Sequence, residues 1–211
     1  MNSMNPVYII GKQISKRLIA LFFFIVSFSC LFAQKSLPDL TGYVDPFIGT
    51  EGHGHVFLGA NVPFGAVQLG PSNIMQTWDK FNGWDWCSGY NYISKEILGF
   101  THTHLSGTGI GDLNDILLLP ANGLVQITPA KFGDMNSGYG SYFSHNNEVC
   151  KPGYYKVYLD KYKVKAELTT TERVGFHQYT FDQKENNHLL VDLSFGMGWD
   201  AVVKSAIERI N

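Results

Sequence analysis

The sequence predicts an all-β chain built as an antiparallel β-sandwich. Three observations predict it. Beyond residue 33 no stretch places apolar residues at helical spacing over three turns. Residues 163–171 and 175–181 alternate apolar and polar side chains, and in a strand every second residue shares a face. The strand-like runs of the C-terminal half recur at intervals of about 10–12 residues, which suits sandwich strands and their turns.

The elements follow in chain order. Residues 1–33 read as a signal peptide. Lys12, Lys16 and Arg17 make a positive start, and Leu18 to Phe32 is an unbroken run of apolar and small residues. That run is about 15 residues long, against the roughly 20 a membrane span needs. Ala33 then precedes Gln34 at a cleavage point. A membrane anchor is the alternative, and lipid attachment at Cys30 a third. The residues before it, Val26-Ser27-Phe28-Ser29, lack the leucine usual three positions upstream. Residues 34–40 are a linker and 41–211 a single domain. The expected location is periplasmic or extracellular, with an outer-membrane lipoprotein the outcome if Cys30 is lipidated.

Residues 38–50 lead into the domain, with Asp45-Pro46 as a turn signal. Glycines 52, 54, 59, 65 and 70 and prolines 63 and 71 exclude a helix from 51–72 and leave room for a short strand at Ala66–Leu69. Residues 73–99, rich in Trp, Asn and Gly, read as an irregular surface loop. Residues 115–119 form a buried-strand run ended by Pro120, and Val125–Thr128 alternates as a half-buried strand. Tyr154–Leu159 alternates in part, and Leu189–Leu193 is strand-like. The last residues, Ile207–Asn211, read as the middle of a strand, which predicts a domain truncated at its C-terminal end.

Composition bounds the function. Hydrophobic residues are 45% and charged residues 16% of 211, enough for one packed domain and too apolar for disorder. The three leader cations are its only charges, so the mature chain moves from −2 to −5. No basic stripe remains, which argues against a nucleic-acid partner. Cys87 and Cys150, with 62 residues between them, either pair, for roughly 4 kcal/mol of loop entropy, or stay as two buried thiols.

Four constellations carry chemistry. His53-Gly54-His55 and His102-Thr103-His104 each place two imidazoles two residues apart, so a strand would present both on one face for a transition metal. Polar loop histidines are the plainer reading. Gly107–Asp115 is neither a phosphate cradle, because no helix follows, nor a complete calcium loop. Asp112 and Asp115 are its carboxylates, with turn capping as the plainer role. Trp84-Asp85-Trp86-Cys87-Ser88-Gly89-Tyr90-Asn91-Tyr92 interleaves four aromatics with hydrogen-bonding side chains. Flat rings beside polar groups suit a sugar, which offers a C–H face and a rim of hydroxyls, although such rings also pack in cores. Phe143-Ser144-His145 with Glu148, and Arg173 with His177, show nothing locally catalytic. No nucleophile elbow, HExxH motif or Walker loop occurs.

The order of motifs points further. Tyr43-Val44-Asp45-Pro46-Phe47-Ile48-Gly49-Thr50 leads, followed by Gly54-His55, Gly59-Ala60 and Pro63–Leu69. Gly83–Tyr90, Gly99–Gly109, Gly153-Tyr154-Tyr155 and Arg173–His177 complete the series. This arrangement resembles the N-terminal half of family 92 glycoside hydrolases over roughly residues 41 to 211. The resemblance implies an exo-acting, inverting, calcium-dependent α-mannosidase, often of α-1,2 type, acting on mannose-containing glycans. It implies an N-terminal β-sandwich followed by an (α/α)6 barrel, with the sugar site between them. The catalytic glutamate and aspartate would belong to the barrel, so no catalytic residue falls in this chain, and calcium belongs to the full-length family without ligands assigned here. The sandwich would supply one pocket wall, with Trp86 as the main sugar contact and Trp84, Tyr90, His102, His104 and Asp112 around it. Val56 and Leu58 stand where the family usually has Thr and Pro, and Asn91 where His is commoner, which bears on linkage specificity. A stand-alone carbohydrate-binding module and a His-x-His metal-binding β protein are the competing classes.

Overall fold

The computed structural model describes residues 18, 19, 21, 24, 38–74, 83–111, 113–197 and 201–210. The chain divides into two units, Met1–Leu40 and Thr41–Asn211. Of the first, the described positions 18, 19, 21 and 24 are helical. The rest of the apolar run and the expected cleavage point lie outside the described residues. Among the described residues no helix is long and apolar enough to cross a membrane.

Among the described residues the second unit is all-β, with three antiparallel sheets and a few single-turn 3-10 helices. Its strands are β1 (Ala60–Asn61), β2 (Gln68–Ser72), β3 (Glu96–Ile97), β4 (Gly99–Thr101), β5 (Leu117–Asn122), β6 (Ser141–Tyr142), β7 (Val149–Lys151), β8 (Tyr154–Leu159), β9 (Val164–Thr170), β10 (Gly175–Phe181) and β11 (Asn187–Asp192). One sheet runs β1-β2-β4-β5-β11, the second β10-β9-β8-β7, and β3 pairs with β6 alone. The alternation read in the sequence is the burial pattern of the second sheet. Tyr155, Val157 and Leu159 of β8 and Val164, Ala166 and Leu168 of β9 are buried, while the residues between them are half-buried. They meet Leu69, Phe100, Leu117 and Leu119 of the first sheet in one core. Strand β9 packs against β1, β2 and β5, and the Phe100 and Tyr155 rings lie 6.4 Å apart across the interior. Each such large side chain taken from water contributes about 1.5–3 kcal/mol. The β7–β8 hairpin closes through Pro152-Gly153, with Gly153 at φ +74, the pairing of fixed φ and left-handed glycine that a tight turn needs.

Three expected elements differ. Strand β5 continues through Pro120 to Asn122, because pairing from β4 reaches only Leu118, so beyond it a missing N–H breaks no ladder on that side. Val125–Thr128 alternates in sequence yet forms no strand, and Val125 and Ile127 are exposed. Its backbone meets Tyr139 only at Thr128 and through the Pro129 bridge, too little to build a ladder. Residues 207–210 of the expected C-terminal strand carry no regular structure and are exposed, and Asn211 lies outside the described residues. Cys87 and Cys150 are both buried free thiols. Burial pushes the Cys87 thiol up, and that of Cys150 up to about 12.

Candidate functional site

Of the surface loop expected over 73–99, Glu96–Ile97 and Gly99 belong to β3 and β4, and residues 83–95 are irregular but largely buried, hinged on a single 3-10 turn, Trp84–Trp86. The Cys87 N–H donates to the Trp84 carbonyl and the Gly89 N–H to the Trp86 carbonyl. Such a turn sends residues two apart in different directions. Trp84 faces outward and is 39% exposed, whereas Trp86 is 2% exposed. The Trp84 indole N–H donates to the Gly109 carbonyl at 2.6 Å. Gly109 sits at φ +67 with its Cα face on the ring, where an added Cβ would lie 3.3 Å from Trp84 Cζ2. The His55 ring meets the indole edge-on at 4.1 Å, and His53 lies tilted at 5.1 Å.

These histidines come from a second 3-10 turn, Gly52–Gly54, with His55 at φ +53 just past its end. The Gly107 N–H donates to the His55 carbonyl, tying the 103–115 loop to this turn. The Asp85 carboxylate is 2.5 Å from His53 Nδ1 and 3.9 Å from His55 Nε2, the latter beyond hydrogen-bond reach. His55 Nε2 is buried and has no hydrogen-bond partner. Burial lowers the His55 pKa, the His53 ring adds to that, and the Asp85 charge opposes it.

The expected site residues separate. Trp86 is buried, its indole N–H donating to Ser94 Oγ at 2.7 Å. Outside the central apolar cluster, it lines a hollow of about 300 Å³ with Ile93, Ser94, Phe132 and Tyr142. Tyr90 is 1% exposed and donates its hydroxyl to Glu148. His104 is buried, with Nε2 at 2.8 Å from Thr101 Oγ1 and Nδ1 at 2.8 Å from the Ser88 carbonyl. Burial holds its pKa down at about 4. His102 sits apart from the Trp84 cluster's metal-ligand geometry, in a chain of its own. The acceptors fix its direction: Tyr179 O–H donates to His177 Nδ1, His177 Nε2–H to His102 Nε2, and His102 Nδ1–H to the Ile116 carbonyl. Burial, with His102 alongside, puts His177 at about 4. Asp112 lies outside the described residues. Neither His-x-His pair is on a strand, so the shared-face argument does not apply; a 3-10 turn gathers the first pair, and His102 and His104 diverge after β4.

Two partners escaped the sequence. Asp85 completes the cluster with His53 and His55, from a loop 30 residues away in the chain. Glu148 is a buried carboxylate that accepts from Tyr90 and Tyr155 hydroxyls, with His145 Nδ1 at 2.6 Å. Only the His145–Glu148 contact is local, three residues apart; the Tyr90 contact and the Asp85 cluster follow no local spacing. The calcium implied by the resemblance does not fit the His53–His55–Asp85 cluster. Calcium takes six to eight oxygen ligands, and two of these three donors are imidazole nitrogens.

Comparison with known proteins agrees with the all-β fold. The model of the glycosyl hydrolase family 92 N-terminal domain matches residues 43–211. An uncharacterized secreted glycosidase from Arthroderma benhamiae is 27% identical over 166 residues, covering 74% of this chain and 20% of the relative. The structure of the family 92 α-mannosidase BT3965 from Bacteroides thetaiotaomicron, solved with mannoimidazole, is 40% identical and superposes with a TM-score of 0.70, over 75% of this chain and 20% of that one. The family 92 glycosyl hydrolase ccman5 is 30% identical with a TM-score of 0.61, over 75% of this chain and 21% of its own. The chain thus spans about a fifth of the length of these relatives. With an all-β fold superposing on these hydrolases and a domain model matched from residue 43 to residue 211, the chain belongs to glycosyl hydrolase family 92 and carries that family's N-terminal domain.

Proposed function

We propose that this chain is the sandwich portion of an exported α-mannosidase, inverting and of α-1,2 type, and that it forms one wall of the mannose pocket. The observation that carries the proposal is Trp84. It is a large aromatic ring left 39% exposed at the start of the Gly83–Tyr90 motif. Its N–H is fixed to the Gly109 carbonyl, and His53 and Asp85 stand beside it. A ring held by its own N–H keeps one orientation, which spares the entropy of ordering it when a sugar stacks. Trp86, Tyr90 and His104 serve the wall from behind, by holding the loop that carries Trp84. His102, engaged by Ile116 and His177, stays outside this wall.

Inversion needs an acid and a base flanking the bond, roughly 6.5–9.5 Å apart. Asp85 is the carboxylate of this cluster and is already engaged by His53. The proton-transferring pair, and the calcium of the full-length enzymes, therefore belong to the part of the relatives that this chain does not span. The secreted relative and the leader composition support export.

Two assays of the full chain test this. On an aryl α-mannoside with calcium present, no turnover is expected, and turnover by this chain would overturn the assignment of acid and base elsewhere. Titration with mannose, followed by calorimetry and tryptophan fluorescence, should show weak binding that Trp84→Ala abolishes and Trp86→Phe retains. Tight binding would favour a stand-alone carbohydrate-binding module, and binding unchanged in Trp84→Ala would remove the ring from the pocket.

A further inference from the structure

The first His-x-His pair and Asp85 present a donor set that sugar stacking does not require. His53 Nδ1, His55 Nε2 and an Asp85 oxygen all lie within 4.8 Å of one another. Two of these separations are 2.5 and 3.9 Å. Ligands on one tetrahedral ion with bonds near 2.0–2.1 Å stand roughly 3.3 Å apart. The observed atoms straddle that spacing, so small side-chain rotations bring all three to one centre. The decisive atom is His55 Nε2, which is buried and unpartnered. A buried polar atom without a partner costs about 1–3 kcal/mol, and the fold holds it there, facing the Asp85 carboxylate. An electron-pair acceptor placed between them would satisfy it.

We propose that His53, His55 and Asp85 form a binding site for a zinc-class divalent transition metal. Two imidazoles and one carboxylate match that class, whereas hard cations such as calcium and magnesium prefer oxygen throughout. Each histidine donates a lone pair from a neutral ring. The His53 side chain is 53% exposed, so its ring proton moves to Nε2 through solvent when Nδ1 takes the metal. The fourth position opens to water on that exposed side. The Trp84 ring, 4.1 Å from His55, shields the other side and limits the ways the imidazole can turn. His102 cannot join, because both its ring nitrogens are committed to Ile116 and His177.

Zinc binding to the full chain, by calorimetry and by metal analysis after gel filtration, should give one equivalent. His53→Ala, His55→Ala and Asp85→Asn should each lose it, while His102→Ala and Cys87→Ser keep it. Near-UV circular dichroism identifies the folded variants. Should His55→Ala fail to fold, the exposed His53→Ala and the near-isosteric Asp85→Asn still decide. Cobalt substitution should give tetrahedral visible bands without a thiolate charge-transfer band. Absence of a bound equivalent, binding that survives in any folded variant of the three ligands, or a thiolate band pointing to cysteine would overturn the site. None of these readouts depends on whether the chain binds mannose.

Discussion

At the scale of single residues, burial keeps His104 and His177 from taking a proton. His104 is enclosed between Thr101 and the Ser88 carbonyl, and burial lowers its pKa from the usual 6.5 to about 4. The unfolded chain binds a proton in that interval and the folded chain refuses it. Stability is therefore fullest above pH 6.5 and falls as pH drops toward 4, by about 3 kcal/mol for this group. His177 shifts in the same direction and adds to the slope. His104→Gln should roughly halve the loss of stability between pH 6.5 and 4, measured by urea unfolding at a series of pH values; an unchanged slope would show that His104 is not its source. Glu148 is the residue whose role was least legible. His145, three residues before it, is its local contact, but the hydroxyls it accepts come from Tyr90, 58 positions earlier, and from Tyr155 across the β7–β8 hairpin.

At the scale of elements, strands were legible and loops were not. β8, β9 and β10 sit where the alternation placed them, since a strand's faces follow directly from its period of two. The 3-10 turns at 52–54 and 84–86 carry no comparable period, and a three-residue turn sends each side chain a different way. That is why Trp86, expected at the pocket, is enclosed while Trp84 is open to solvent. The loop carrying them is pinned by Gly89, at φ +91, where a Cβ would stand 2.4 Å from Asn114 Oδ1 and 2.8 Å from His104 Nδ1. Gly89→Ala should destabilise the domain by roughly 2–4 kcal/mol, from backbone strain and overpacking together. Gly107, at φ +74 with nothing within 4 Å of its Cβ position, isolates the strain alone. Gly107→Ala should cost only about 1 kcal/mol. Denaturant midpoints compare the two, and equal losses would show that the crowding at Gly89 relaxes freely.

At the scale of the whole molecule, two sheets share one core, and the second ends in an open edge. Among the described residues β10 ends the order β10-β9-β8-β7 with one side unpaired, and Phe176 on it is 54% exposed beside the exposed Val174. An unpaired edge bearing apolar side chains invites strand addition by another copy. Phe176→Lys should lower light scattering of concentrated full chain without shifting its unfolding midpoint; unchanged scattering would place the association elsewhere. The sequence by itself determined the fold class, the inner faces of the central strands and the family, because periodicity and motif order are written along the chain. Only the tertiary structure decided which indole meets solvent, that Asp85 joins His53 and His55, and that His102 pairs with His177 instead. Those contacts join residues tens of positions apart, and no local pattern encodes which distant side chain will fill a given space once the two sheets close.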